Sequence, residues 1–224
     1  MTSLHMLQLV SPALPVGAFS YSEGLEWLVQ TGKVSNERNM CSWLEAELSR
    51  GQIRLEAAAL TPIRQTLKYW QSERSLNAKY AVINWHEWLL ALRDASTMRA
   101  QQLQMGRSLL NLLAELGHPL PDNSKDFSWP IAWAWAGHSW GLSESEVIQA
   151  YLYGWVANQL SAAIRLVPLG PTKAQALQCN LLPLITKQSE ILLKENPHLI
   201  WTGDVGATLA QVSHTELYSR LFRS

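Results

Sequence analysis

Apolar residues recur at a helical period along nearly the whole chain, and no segment alternates polar and apolar residues for long enough to form a strand. The chain has 224 residues, of which 47% are hydrophobic, so it can bury a substantial core. No internal repeat or low-complexity tract divides it. We therefore predict a single all-α domain over residues 1–224, an irregular bundle of about eight to ten helices, some of them bent by proline.

Prolines, glycines and capping residues set the predicted helix boundaries. Ser20 and Glu23 have the spacing of a capping box, which predicts a helix over about 21–31. The first turns of this helix are expected to expose Tyr21, Glu23 and Glu26. The other predicted helices cover residues 4–10, 35 to about 62, 63–70, 77–92, 96–116, 129–140, 144–166, 171–194 and 213–221.

Three of these boundaries rest on particular signals. Ser143 and Glu146 form a second capping box, directly before the helix 144–166. Pro62 should bend or end the helix that precedes it, because proline lacks a backbone N–H. Residues 202–206 are predicted to form a loop, since the apolar pattern weakens there.

The composition argues against several classes of function. Lys and Arg total 18, as do Asp and Glu, and no basic run favours a nucleic acid partner. The most apolar stretch, 147–169, is interrupted by polar residues and predicts a buried helix, so we expect no membrane span. No basic region followed by an apolar run begins the chain, and Cys41 and Cys179 fit no zinc spacing. We therefore expect a cytoplasmic protein with two free thiols.

Partner proteins are expected to cover part of the surface. Only 16% of the residues are charged, against a typical value of about 25%, so the surface should be short of charge. The chain contains 11 Trp, a residue that is enriched at interface hot spots. We expect most of these Trp to fill the helical core and the remaining apolar surface to contact other proteins, including a second copy of the chain.

No set of catalytic or ligand-binding residues is predicted within this chain. Residues 137–141, G-H-S-W-G, match the pattern of a hydrolase nucleophile elbow, but such an elbow follows a strand, and residues 131–136 are predicted to be helical. Gly32 and Lys33 lack the preceding glycine of a phosphate-binding loop. The six His include no pair at the i, i+4 spacing of a metal site. We therefore predict a protein that is not an enzyme and binds no cofactor by itself.

Two blocks at opposite ends of the sequence place polar and aromatic residues on short segments, an arrangement that favours recognition of another protein. Leu14–Glu26 contains P-x-G-x-F-S-x-S-x-G-L-E, and His214–Ser224 ends in Y-S-R-L-F-R-S. Together with R-L-V-P-L-G at 165–170, these blocks resemble the signatures of the urease accessory protein family UreF. Many members carry Lys in place of Arg165, and many have Glu directly after the tail His, where this chain has Thr215.

The resemblance implies an all-helical, non-enzymatic chaperone of urease maturation. UreF proteins form homodimers, bind the accessory protein UreD (UreH in some organisms) and recruit the GTPase UreG. Nickel then reaches the active site of the apo-urease subunits in a GTP-dependent step, so nickel, GTP and magnesium act in the partner complex. The alternative is an autonomous nickel carrier that binds the metal itself.

The resemblance also implies which residues bind partners. Glu26 and Arg165 are expected to contact the GTPase or to gate its activity, and residues 218–222 to contact UreD. Within 218–222 the candidate contacts are Tyr218, Arg220, Leu221 and Phe222, and the other candidates are Tyr21, Ser22, Pro168, Gly170 and His214. From the residues alone, Glu26 could instead interact with a helix N-terminus and Arg165 with a helix C-terminus.

The C-terminal tail, residues 202–224, is expected to be loosely held until a partner orders it. Its end carries a narrow apolar stripe at helical spacing, formed by Leu217, Tyr218, Leu221 and Phe222. Such a stripe is able to lie in a groove of another protein.

Overall fold

The part of the chain that the computed structural model describes, residues 4–224, forms ten α-helices and no strand, which confirms the predicted all-α class. Residues 1–3, which belong to the N-terminal stretch where we predict no signal sequence, lie outside the described residues. The helices are α1 (Leu4–Leu9), α2 (Leu25–Gln30), α3 (Glu37–Arg50), α4 (Ile53–Glu73), α5 (Leu76–Ala91), α6 (Ser96–Glu115), α7 (Trp129–Ser139), α8 (Glu144–Leu166), α9 (Pro171–Leu192) and α10 (Val205–Ser213). None of them combines the length and the apolar character that are needed to cross a bilayer.

The core is built around α7, in which every residue over 131–137 is buried. α4 and α6 pack on this helix, together with α5 and α8. Alternating Ala residues leave room for these neighbours, so the large side chains of Trp133 and Trp135 fit between them. Their indole N–H groups donate to the main-chain oxygens of Val147, at 3.1 Å, and His118, at 2.9 Å. The short buried helix predicted here is confirmed.

Tryptophan mainly fills the core, as expected. Ten of the 11 Trp are buried or partly buried, and only Trp201, before α10, is largely exposed. The exposed aromatic surface of the described residues is therefore formed mainly by Phe and Tyr, among them Phe19 and Tyr218.

The capping box of α8 is confirmed, whereas that predicted for α2 is wrong. The Ser143 hydroxyl accepts from the Glu146 N–H at 3.2 Å, and the Glu146 carboxylate accepts from the Ser143 N–H at 2.8 Å. α2 begins four residues later than predicted, because the backbone at Glu23 and Gly24 is left-handed, with φ of 55° and 88°. The Glu23 side chain accepts hydrogen bonds from α6 and α8 and does not cap with Ser20.

The helix predicted from Ser35 to Pro62 is in fact two helices. Asn36 caps α3, since its side chain accepts from the Asn39 N–H at 3.0 Å. α3 ends before Gly51, where the backbone is extended. α4 then continues through Pro62 without ending, because its burial against α7 and α8 outweighs the one backbone hydrogen bond that proline removes.

The C-terminal helix lies earlier in the chain than predicted. α10 occupies part of the predicted loop 202–206, and the predicted helix 213–221 is wrong: a 3-10 turn at His214–Glu216 is followed by irregular backbone. The small residues Ala207 and Ala210 face inward, where α10 packs on α2. The larger apolar residues of α10 are exposed, namely Val205, Leu209 and Val212. Because this pattern is inverted, hydrophobic periodicity did not predict the helix.

A buried acid, Glu47, lies where the end of α3 meets the start of α10. The Gly203 N–H donates to the main-chain oxygen of Arg50 at 2.8 Å and joins the two helix ends. Burial, and after it the charge of Asp204, raises the pKa of Glu47 to about 7 from an ordinary value of 4.5. Between pH 4.5 and about 7, Glu47 is therefore protonated in the folded protein and ionised in the unfolded chain.

We predict that Glu47→Gln stabilises the protein at high pH only. The raised pKa makes a contribution to stability that is complete below about pH 4.5 and is lost as the pH rises through about 7. At pH 8 the variant should therefore unfold with a free energy up to about 3 kcal/mol higher than the parent chain. Urea denaturation at several pH values measures this, with the more exposed Glu37→Gln as control. Parallel pH profiles for the parent chain and Glu47→Gln would contradict the assignment.

Candidate functional site

The site lies where the N-terminal block meets the C-terminal tail. In the block, a 3-10 turn at Ala18–Ser20 and the left-handed residues Glu23 and Gly24 bend the backbone before α2. A Cβ atom at Gly24 would lie 2.8 Å from the main-chain nitrogen of Gln211 in α10. The close approach of α10 to the block therefore depends on glycine at this position.

The Glu26 carboxylate is the central contact between the two segments. Its Oε1 accepts from the Leu221 N–H at 2.7 Å, and its Oε2 accepts from the Phe222 N–H at 3.1 Å. The His214 Nε2 lies 3.0 Å from Oε2, although the two residues are 188 positions apart in sequence. Since the His214 Nδ1 has no partner among the described residues, the tautomer with the proton on Nε2 leaves no ring donor unpaired. One buried carboxylate thus fixes the end of α10 and the tail backbone.

A second set of hydrogen bonds holds the last residue of the chain. The main-chain oxygen of Ser224 accepts from the N–H groups of Ser22, at 2.7 Å, and Glu23, at 3.0 Å, and from the Ser22 hydroxyl, at 2.7 Å. The Ser224 hydroxyl donates to the Gln101 side chain of α6 at 2.6 Å. The Arg223 N–H donates to the main-chain oxygen of Ser20 at 2.9 Å. These bonds run between backbone and side chains that are mostly buried, so they are protected from competing water.

Arg165 joins the site from the end of α8. Its guanidinium donates to the main-chain oxygen of Phe19 at 2.8 Å and lies 4.4 Å from the centre of the Phe222 ring. The second contact is a cation–π interaction with a buried aromatic residue of the tail. A single exposed arginine therefore contacts both segments of the site.

Five of the eleven predicted contact residues are buried, and the prediction that Tyr21 and Glu26 are exposed is wrong. Glu26 is 3% exposed because the tail covers it. The buried residues are Tyr21, Ser22, Glu26, His214 and Phe222. They shape the site and offer little surface to a partner. The exposed ones are Arg165, Pro168, Gly170, Tyr218, Arg220 and Leu221. Of these, Pro168 and Gly170 lie in the turn between α8 and α9.

The expectation of a loosely held tail is also corrected by the structure. Phe222 and Ser224 are buried against the body of the molecule, whereas Tyr218 and Leu221 are exposed. From Leu217 the backbone is irregular, with bends at residues 218–219 and 221–222, and it does not form the predicted helical stripe. The backbone N–H groups of the tail bond to Glu26 and Ser20, so they cannot also form helical hydrogen bonds.

Sequence reasoning missed three residues of the site. The Gln101 side-chain oxygen accepts from the Ser224 hydroxyl, and the Gln30 side chain donates to the main-chain oxygen of Ser219 at 3.4 Å. Phe19 is 64% exposed next to Arg165 and adds a large aromatic surface. Phe19 belongs to the quoted N-terminal motif, so its type was a usable signal. The two Gln side chains carry no local signal, because their partners are more than 100 residues away.

The arrangement is suited to holding two segments together and presenting a surface. The described residues contain no group of three or more His, Cys, Asp or Glu placed to hold a metal ion. Ser139, the candidate nucleophile, is the last residue of a helix, which confirms that the strand of a nucleophile elbow is missing before it. We define the tail face as the exposed side chains of Phe19, Arg165, Tyr218, Arg220 and Leu221.

Comparisons with known proteins identify relatives of the whole chain. The family model for UreF matches residues 34–182. Urease accessory protein UreF of Prochlorococcus marinus (strain MIT 9215) is 39% identical over 228 aligned positions, which cover 100% of both chains. UreF of Microcystis aeruginosa (strain NIES-843 / IAM M-2473) is 41% identical and covers 99% of this chain and 97% of its own. UreF of Trichormus variabilis (strain ATCC 29413 / PCC 7937) is 38% identical over 99% of this chain. These full-length matches include both segments of the site.

Proposed function

Because this chain belongs to the UreF family of urease accessory proteins, we propose that it is a non-enzymatic chaperone that binds UreD (UreH) and recruits the GTPase UreG. The complex would deliver nickel to the apo-urease subunits in a GTP-dependent step, in the cytoplasm, with this chain as a homodimer. Nickel, GTP and magnesium would act in the complex and would not be bound by this chain alone. Family membership supports the accessory role, and the geometry of the site supports the proposed contacts.

The observation that best supports the proposed contacts is the division of the site into a buried clamp and an exposed face. In the clamp, Glu26 with His214, the Glu26 carboxylate accepts from backbone N–H groups of the tail, and the side chains of Tyr218 and Leu221 are exposed. Exposed aromatic and aliphatic side chains on a fixed backbone lose little entropy on binding, which favours association. We assign the UreD contact to Tyr218 and Leu221 and the UreG contact to Arg165.

Stepwise co-purification tests this assignment of roles. The tagged chain should retain UreD alone, and UreG should join only when UreD is present. Retention of UreG without UreD would contradict the proposed order. Equilibrium dialysis of the isolated chain against nickel tests the alternative, because an autonomous carrier should bind one nickel ion per chain at sub-micromolar concentration, roughly −8 kcal/mol or stronger.

We predict that Arg165 tolerates Lys better than Ala or Glu. Lys keeps the positive charge beside Phe222 and one donor for Phe19, whereas Glu reverses the charge at an exposed contact. Charge reversal should weaken UreG recruitment by several kcal/mol, on the order of 2–5. Titration of the chain with UreD already bound, using UreG as ligand, measures the effect. Normal recruitment by Arg165→Glu would remove Arg165 from the contact surface.

A further inference from the structure

A cavity of about 440 Å³ lies between α6, α8, α9 and the segment that follows α1. This volume falls in the range of about 300–1,000 Å³ that small-molecule sites occupy. Its walls are mostly apolar and include six aromatic side chains, Phe19, Trp129, Trp133, Tyr151, Tyr153 and Trp155. Such walls suit an apolar ligand body of modest size.

A carboxyl group whose hydrogen bonds come from neutral donors lies on the cavity wall. Glu23 accepts from the Gln101 amide at 2.6 Å and from the Trp155 indole at 2.9 Å. Burial raises the pKa of Glu23, while the charge of Arg93 lowers it to a smaller extent. The Glu23 carboxyl group is therefore costly to ionise, and a cation beside it would lower that cost.

Arg93, whose charge lowers the pKa of Glu23, already forms an ion pair with a different acid, Glu56. Arg93 donates to Glu56 through Nε at 3.1 Å and through Nη2 at 2.5 Å, and the two side chains form a buried ion pair. Glu56 also accepts from the Tyr151 hydroxyl at 2.7 Å. Glu23, Glu56 and the more distant Glu47 are thus the acids around Arg93, three carboxyl groups for one guanidinium. The region has an excess of negative charge when the acids ionise.

Two further polar groups on the cavity wall have no partner among the described residues. The Gln102 Nε2 donates to Glu56 at 3.1 Å, which leaves its Oε1 as a buried acceptor without a donor. The Gln178 Nε2, on α9, is a buried donor without an acceptor. Both side chains are more than nine-tenths buried, with exposures of 4% and 6%. Unpaired buried groups of this kind are what a ligand with a complementary donor and acceptor would satisfy.

We infer that this cavity binds a small primary ammonium compound with an aromatic body and a hydroxyl or carbonyl group. The ammonium donates to the Glu23 carboxylate, with the Gln102 Oε1 as a second acceptor, and the body packs on the tryptophan side chains. The ligand's oxygen accepts from the Gln178 Nε2. An ammonium group needs acceptors and benefits from aromatic faces, and this cavity supplies both. The cavity shares Phe19 with the tail face, but the inference does not depend on the proposed function.

Isothermal titration calorimetry with tyramine as the probe tests the inference on the full chain. Tyramine carries an ammonium group, an aromatic ring and a hydroxyl group, and tyrosol is its uncharged counterpart, with a hydroxyl in place of the amine. Tyramine should bind, and tyrosol should bind about tenfold or more weakly, because its hydroxyl offers the Glu23 carboxylate a neutral donor in place of a charged one. Affinity for tyramine should also rise as the pH increases above 4.5, the ordinary carboxyl pKa, since Glu23 must ionise while the amine stays protonated.

Two variants assign the binding to Glu23. Glu23→Gln should lower tyramine affinity about tenfold or more, whereas Glu47→Gln, which changes a buried acid that does not line this cavity, should leave the affinity unchanged. Circular dichroism establishes that both variants fold. Equal binding of tyramine and tyrosol, equal loss in the two variants, or no binding of tyramine at millimolar concentration would each overturn the inference.

Discussion

Replacing Glu26 with alanine should release the C-terminal tail and lower the free energy of unfolding by about 3–5 kcal/mol. The substitution leaves His214 and the N–H groups of Leu221 and Phe222 without their acceptor in a buried region. Unpaired buried donors are costly, and water can reach them only if the tail moves away. This expectation replaces the initial hypothesis that Glu26 is exposed.

Hydrogen-exchange mass spectrometry separates tail release from general unfolding. In Glu26→Ala, residues 217–224 should exchange far faster than in the parent chain, while α7 and α8 keep their protection. Glu37→Ala is the matched control, because Glu37 is also a first-turn acid but is partly exposed, and its loss should cost less than about 1 kcal/mol. Unchanged protection of the tail in Glu26→Ala would show that the carboxylate does not hold it.

Gly24→Ala should be the most disruptive single methyl group in the site, with a loss of about 2–5 kcal/mol. Gly24 has a φ of 88°, which alanine adopts only with strain, and its Cβ would lie 2.8 Å and 2.9 Å from backbone atoms of Gln211 and Ala210. Backbone atoms of a helix cannot turn aside as a side chain can, so α10 must shift as a whole. We expect hydrogen exchange to increase along α10 and along residues 217–224 together.

Gly206→Ala is the control for that substitution. Gly206 lies within α10 and does not have a positive φ, and a methyl group added to it would meet no described atom within 4 Å beyond its chain neighbours and the backbone of its own helix. Alanine there should favour the helix by up to about 1 kcal/mol. Equal melting temperatures for Gly24→Ala and the parent chain would contradict the close packing of α10 on the N-terminal block.

Local sequence signals predicted the helices whose boundaries and buried faces depend on residues that are close together in the sequence. α8 was placed correctly because its capping box and its apolar face are both formed by residues that are close together in the sequence. α7 was placed correctly because its Ala and Trp residues are apolar on every face. In both helices the residues that decide the structure are neighbours in sequence.

The candidate site could be predicted only as two separate segments. Glu26 has the local context of a first-turn acid, and its burial comes from residues of the tail nearly 190 positions away. The stripe at Leu217, Tyr218, Leu221 and Phe222 suggested a helix, but Glu26 and Ser20 accept from the tail N–H groups and hold an irregular backbone. Tertiary hydrogen bonds therefore override the local pattern at both ends of the chain.

The proposed UreD contact is tested most directly by removing exposed side chains of the tail face without touching its buried clamp. Tyr218→Ala with Leu221→Ala should leave the melting temperature unchanged, because both side chains are exposed. A matched control changes another exposed Tyr and Leu pair, Tyr80→Ala with Leu76→Ala on α5. Calorimetric titration with UreD should show a loss of about 2 kcal/mol, roughly 30-fold in affinity, for the tail variant only. Wild-type affinity in the tail variant would contradict the assignment of the tail face as the UreD contact.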